Sequence, residues 1–246
     1  MLSCDLIIPA YNEVENIDAL FEALKPLREV GIIRHVVLAD NNSTDLTGEA
    51  ALRHDAIVVH EPRRGYGAAC LKAIDWIANQ DGPLPDILAF LDADLSDDPA
   101  ALPKLLAPIE AGKADITIGR RTRYAEPGSL TMVQRSGNRL ACFLMRCLGG
   151  RQYHDLGPFR IVRWDTLMRL SMADQTWGWT VEMQMKAALL DIPVVEVDVP
   201  YRRRRGGRSK ISGTVRGVAA AGTKIILTIF SLWWHRRAFI AASQSA

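Results

Sequence analysis

Residues 86–98 read DILAFLDADLSDD: an apolar run from Ile87 to Leu91, then four aspartates in seven positions, Asp92, Asp94, Asp97 and Asp98. A short run that is apolar at every residue fits a strand buried on both faces, as in a parallel sheet covered by helices. Carboxylates this close repel one another, so the cluster needs a cation or solvent to hold it. Similar runs recur on either side: residues 5–9, 35–40, 56–60 and 115–119 read as strands beside 86–92. Between them, residues 14–28, 45–54, 66–79 and 100–110 carry apolar side chains at three- and four-residue spacing, which predicts helices. Strand alternating with helix predicts an α/β fold with a mostly parallel sheet.

Polar residues follow the carboxyl ends of these strands: Tyr11, Asn12 and Glu13 after the first, Asp40, Asn41, Asn42 and Ser43 after the second, Asp92 and Asp94 after the fourth. That edge of an open α/β sheet is where ligands bind, so the three groups are expected to line one crevice. Beyond residue 120 the pattern changes. Residues 121–131 read as loop, 133–148 as a helix ended by Gly149 and Gly150, 159–162 as a strand, 180–190 as a helix and 194–199 as a strand. This half is expected to form the acceptor-facing part of the same domain.

The formal charge of +2 gives no global field for nucleic acid. The charges are nonetheless segregated, with Arg202, Arg203, Arg204, Arg205, Arg208 and Lys210 in one run and the aspartates of 92–98 in another. Both suit a phosphorylated ligand, one directly and one through a metal. Cys4, Cys70, Cys142 and Cys147 show neither zinc nor C-x-x-C spacing, which predicts a reducing, cytoplasmic setting, and residues 6–9 run into Pro9 without the pattern of a leader. The tail, 211–234, is apolar apart from Arg216 and Lys224, and its uncharged part, 225–234, is too short to span a bilayer. It reads either as an amphipathic helix at a membrane surface, with Trp233, Trp234, Arg236 and Arg237 at the headgroups, or as a helix packed on the core or a second subunit.

Asp92 and Asp94 project from the end of a buried strand with only Ala93 between them, which suits Mg²⁺ or Mn²⁺. The structural alternative is helix capping before Pro99, a role open to Asp97 or Asp98. PAYNE at 9–13 and DNNSTD at 40–45 also read as ordinary turns and caps when taken singly.

The ordered set PAYNE, ADNNSTD, RRGYGAA, FLDADLSDDP, ADITIGRR, GPFR and RRRGGRSK resembles the inverting family 2 glycosyltransferases of GT-A fold, most closely the branch of dolichyl-phosphate and bacterial polyprenyl-phosphate mannosyltransferases. The resemblance spans residues 5 to about 215. The expected division is a GT-A domain over 1–210, with a nucleotide-sugar half at 1–120 and an acceptor half at 121–210, followed by a C-terminal apolar, amphipathic helix at 211–246. The resemblance implies that Pro9, Tyr11, Glu13 and Asp40 hold the nucleotide, that Asp92, Ala93 and Asp94 hold the metal and diphosphate, and that Arg121 with Arg204, Gly207, Ser209 and Lys210 face donor or acceptor phosphates. Asp94, Arg204 and Lys210 then carry the catalysis. Three features depart from the pattern: Asn41-Asn42 stands where Asp-Gly is usual, Ser96 replaces an amide or other polar neighbour of the metal, and the segment 155–160 is shortened.

The resulting expectation is a metal-dependent enzyme that moves a hexose from a GDP-mannose or UDP-glucose type donor to a polyprenyl phosphate, with Arg135, Asn138 and Arg139 as further phosphate contacts and a peripheral site at the inner face of the cytoplasmic membrane. The alternative keeps fold and donor and takes a hydroxyl acceptor, which needs a general base, Glu182 or Asp155. A sugar-phosphate nucleotidyltransferase is more remote, because PAYNEVEN lacks its glycine-rich loop.

Overall fold

The computed structural model describes residues 2–206 and 215–244. In chain order the elements are β1 Cys4–Ala10, α1 Val14–Glu29, β2 His35–Asp40, α2 Thr47–Leu52, β3 Ile57–His60, α3 Tyr66–Ala78, β4 Ile87–Phe90, a 3-10 turn Pro99–Ala101 leading into α4 Leu102–Glu110, β5 Ile116–Ala125, α5 Met132–Gly149, β6 Arg160–Arg163, α6 Trp164–Leu170, α7 Trp179–Leu189, β7 Val194–Tyr201, α8 Val215–Trp234 and α9 Arg236–Gln244. The strands form one sheet in the order β3-β2-β1-β4-β6-β5-β7. Only β6 is antiparallel to its neighbours, β4 and β5.

The two-residue period of a strand divides the core. On β1, Leu6, Ile8 and Ala10 face α1 and α4, where they meet Ile17, Leu20, Leu24 and Leu105. Ile7 faces the other way, into a second core with Ala69, Ile74, Met145 and Trp179. Each such fully buried aliphatic chain contributes about 1.5–3 kcal/mol. The covering helices explain why β4 is apolar at every residue.

Two segments differ from the sequence expectation. β5 continues to Ala125 through an irregularity between Arg120 and Tyr124, pairing Tyr124 with Pro200 and Ala125 with Tyr201. Residues 120–125 read RRTRYA, three of them arginine, and carry no apolar period. α6 follows β6 directly, where no helix is predicted. In the tail, α8 packs on α5 and α7, with Ile225, Ile229, Leu232 and Trp233 against the second core and Lys224 Nζ 2.7 Å from Asp174 Oδ2. Among the described residues no helix is long and apolar enough to cross a membrane.

Candidate active site

The loops after β1, β2 and β4 meet at one sheet edge and are laced together before any ligand is considered. Asn12 N donates to Ser43 Oγ (3.0 Å), Thr44 N to Asn12 Oδ1 (2.7 Å) and Glu13 N to Thr47 Oγ1 (2.9 Å). The Arg64 guanidinium lies 3.0 Å from the centroid of the Tyr11 ring. Pro9 sits within β1, in register with Ala39, and Asp40 accepts from Ser43 N (3.1 Å) while His60 Nδ1 lies 3.2 Å from its other oxygen. Asn41 turns away from this set. Its amide donates to the carbonyls of Glu61 (3.2 Å) and Arg63 (2.6 Å) and accepts from Gly65 N (2.7 Å). An aspartate there would lose both donors, which gives the Asn41 departure a structural reason.

Asp92 and Asp94 lie just beyond β4, with buried Ala93 between them and Leu95 at φ 59° closing the turn. Asp94 Oδ1 accepts from Ser96 N (2.9 Å). Asp92 receives a hydrogen bond from the Tyr66 hydroxyl, but its Oδ1 is buried without a partner. Burial, followed by the charge of Asp94, pushes the Asp92 carboxyl up to about 7. Among the described residues no cluster of three or more His, Cys, Asp or Glu side chains could enclose a metal. The chain therefore offers two carboxylates at an open edge, one with an orphaned oxygen, which fits a hard cation that keeps water or phosphate ligands.

The basic run reaches this acidic pair because the chain leaving β7 crosses over the β4 loop. Arg202 N donates to Ser96 O (2.7 Å) and Arg205 N to Asp94 O (3.3 Å). Arg204 is thereby brought between the first and fourth loops. Its guanidinium hydrogen-bonds Glu13, lies 3.4 Å from Asp94 Oδ2 and donates to Gly206 O (2.8 Å). Arg202 pairs with Asp98 (2.7 Å) and Arg203 with Pro127 O (2.6 Å), both on the exposed rim. Gly207, Ser209 and Lys210 lie outside the described residues.

Arg121 and Asp155 form a buried, bidentate pair, Nη2 to Oδ1 at 2.8 Å and Nε to Oδ2 at 3.1 Å, and Arg121 N also donates to Oδ2 (2.7 Å). Burial opposes the Arg121 charge, and Asp155 more than offsets it, holding the guanidinium above its usual value. Asp155 is thus the counter-ion of Arg121. Glu182 is engaged as well. It is 3% exposed, accepts from Ala173 N (3.0 Å) and Asp174 N (2.8 Å), and lies 2.8 Å from Lys186 Nζ. It anchors the 173–178 loop, whose carbonyls at Gln175 and Thr176 accept from Ala68 N and Gly67 N at the start of α3. A Cβ on Gly67 would lie 1.9 Å from Asp174 O, so only glycine admits this approach.

Capping belongs to Asp98, which accepts from Ala100 N (3.1 Å), and not to Asp97. Asp97 is 1% exposed and neither carboxylate oxygen has a partner. Burial, with the charges of Asp92, Asp94 and Asp155, holds its carboxyl well above the usual range against the pull of Arg121. Asn138 is committed to the 154–156 segment, donating to His154 O (2.9 Å) and accepting from Leu156 N (2.9 Å).

Sequence reasoning missed three groups. Tyr66 stands between two glycines in a motif whose aromatic carried no assigned role. Arg160 is fully buried and, among the described residues, has no carboxylate within ion-pair distance; it donates to Gly157 O (3.1 Å) and Thr180 O (2.9 Å), and burial lowers its pKa to about 10. His154 Nδ1 lies 2.6 Å from Glu196 Oε2, one residue from Asp155. Only the spacing of HD in 154–155 hinted at it.

Comparison with known proteins gives this geometry its family. Residues 5–167 match the model of Glycosyl transferase family 2. An uncharacterized glycosyltransferase of Mycobacterium tuberculosis is 35% identical over 228 residues, 93% of this chain and 95% of that protein. An undecaprenyl-phosphate mannosyltransferase of Micrococcus luteus is 30% identical, with 87% and 89% covered. The fold matches the crystal structure of glucosyl-3-phosphoglycerate synthase from Mycobacterium tuberculosis in complex with Mn²⁺, UDP and phosphoglyceric acid, with a TM-score of 0.72 at 20% identity over 94% of this chain and 78% of that one. The mostly parallel sheet, the carboxylate pair at its edge and the family match agree: the chain is a glycosyltransferase and belongs to glycosyl transferase family 2.

Proposed function

We propose that the protein transfers a hexose from a nucleotide diphosphate sugar, of the GDP-mannose or UDP-glucose type, to a polyprenyl phosphate with inversion. The observation that carries this reading is the commitment of the acids around the crevice. Asp155 holds Arg121, Glu13 holds Arg204, and Glu182 holds the 173–178 loop. A sugar hydroxyl needs a base to attack, whereas a phosphate monoester is already ionised near neutral pH. A site rich in arginine and poor in free carboxylate suits the second. The likeness to the Micrococcus luteus enzyme points the same way.

In this reading Tyr11 and Asp40 would hold the base and ribose, with Pro9 and Glu13 shaping the first loop, and Asp92 and Asp94, with the small Ala93 between them, would hold Mg²⁺ or Mn²⁺. When bound, such a cation would supply positive charge against the charge that grows on the departing diphosphate. The acceptor oxygen attacks the anomeric carbon opposite the breaking bond to that diphosphate. Arg204, already beside Asp94, and Lys210 add positive charge there, and Arg121, fixed by Asp155, presents a preorganised guanidinium to acceptor or donor phosphate. A lipid acceptor brings the enzyme to a membrane surface.

A second reading has one observation in its favour. His154, oriented by Glu196, is the arrangement of a general base for a hydroxyl acceptor. The two are separated by sugar transfer to a short-chain polyprenyl phosphate. His154→Gln leaves turnover within about tenfold, while Arg204→Ala lowers it about 10- to 100-fold, the loss of one charge-assisted contact. A collapse of His154→Gln by about a thousandfold with Arg204→Ala near normal contradicts the phosphate acceptor.

A further inference from the structure

One side of the molecule is unlike the rest of its surface. None of the 28 acidic residues falls in α5, α8 or α9, whereas Arg139, Arg146 and Arg237 stand exposed there. Among these charges lie large apolar side chains. On α5, Val133, Leu140 and Phe143 share one face, with Phe143 60% exposed. On α8, Leu227, Phe230 and Trp234 share another, with Trp234 72% exposed. The opposite faces are accounted for: Cys142 and Met145 of α5 and Ile229 of α8 belong to the same core, and α8 packs on α5. The exposed stripes therefore look out on one side.

We propose that α5 and the outer face of α8 dock the enzyme on an anionic bilayer, with the apolar stripes in the headgroup boundary and the arginines at the lipid phosphates. Apolar side chains interleaved with basic ones and no acidic ones are the pattern of an interfacial helix, and an anionic surface supplies the opposite charge. A second copy of the chain complements this face poorly, because two such surfaces would set arginine against arginine. The proposal deepens the polyprenyl-phosphate reading, on which it rests for its purpose. The inner side of α5 carries Asn138, bonded on both sides of Asp155, which grips Arg121. The bilayer would thus lie about one helix diameter, about 10 Å, from the proposed phosphate contact.

The test is co-sedimentation of the full chain with vesicles of phosphatidylcholine alone or with added phosphatidylglycerol. The wild type binds the anionic vesicles and binds the neutral ones more weakly. Leu140→Glu with Phe143→Glu lowers the anionic affinity at least about tenfold, while Leu52→Glu, at an exposed apolar position on α2, leaves it unchanged. Equal binding by wild type and the double variant, or no preference for anionic lipid, overturns the proposal. So does light scattering that shows a dimer dissolved by the double substitution, which would assign the face to a second copy. Transfer to a water-soluble short-chain polyprenyl phosphate without vesicles is unaffected by the double substitution. Absence of that transfer in the wild type with vesicle binding intact would count against the acceptor and leave the docking face standing.

Discussion

Asp92→Asn is expected to make the ligand-free enzyme more stable and unable to work. The Asp92 carboxyl is pushed up to about 7 by burial and by Asp94. Its folded-state value therefore lies above its unfolded one, near 3.8. Between those values the folded state keeps a proton that the unfolded state releases, so stability is fullest below about pH 4, falls as pH rises and levels off above about pH 7. About three pH units at about 1.4 kcal/mol each set an upper bound of about 4 kcal/mol, and solvent relaxation at a half-buried group reduces this to about 2 kcal/mol. The amide removes that cost and can still accept from Tyr66. Urea unfolding at pH 5 and pH 8, with and without Mn²⁺ and a nucleoside diphosphate, measures it. The variant gains about 2 kcal/mol at pH 8 and less at pH 5, and loses the stabilisation that Mn²⁺ with nucleotide gives the wild type. Destabilisation at pH 8 with the metal response intact would refute the reasoning.

Three further outcomes follow from the same contacts. Asp97→Asn keeps transfer within a few-fold and is neutral or stabilising at pH 8, since the buried Asp97 carboxyl is held above its usual value and has no partner to lose; Asp94→Asn nearly abolishes transfer, and equal losses at the two positions would contradict the assignment. Glu182→Gln costs about 3–5 kcal/mol in denaturant unfolding, because it strands the buried Lys186 ammonium and weakens the acceptor of two backbone amides, while transfer per folded molecule stays within about tenfold. Asp155→Asn strands the buried Arg121 charge and costs about 3–5 kcal/mol, read as a fall in the urea midpoint.

The sequence announced those parts whose signal is local. β1, β2 and β4 are apolar runs with polar residues at their carboxyl ends, and the convergence of Glu13, Asp40 and Asp92 follows from sheet geometry alone. What it hid depends on contacts between distant segments. That Arg204 reaches Glu13 requires the chain after β7 to cross the β4 loop. Asp97 and Asp98 look equivalent in a string, yet one is buried, its backbone bridged to Tyr201, and the other caps a helix turn. Glu182 carries the residue type of a base, but its role is set by a loop eight and nine residues earlier. The arginines that end β5 have no strand period because β7, not a core, holds them.

The central claim is that the carboxylate pair and the arginines beside it direct a phosphate oxygen onto the anomeric carbon. The direct measurement is nuclear magnetic resonance of the product formed from an α-linked nucleotide sugar, a short-chain polyprenyl phosphate and Mn²⁺. The account predicts a new phosphodiester phosphorus signal coupled to a β-anomeric proton. A hexose attached to a hydroxyl, or a product that keeps the α configuration, would contradict it.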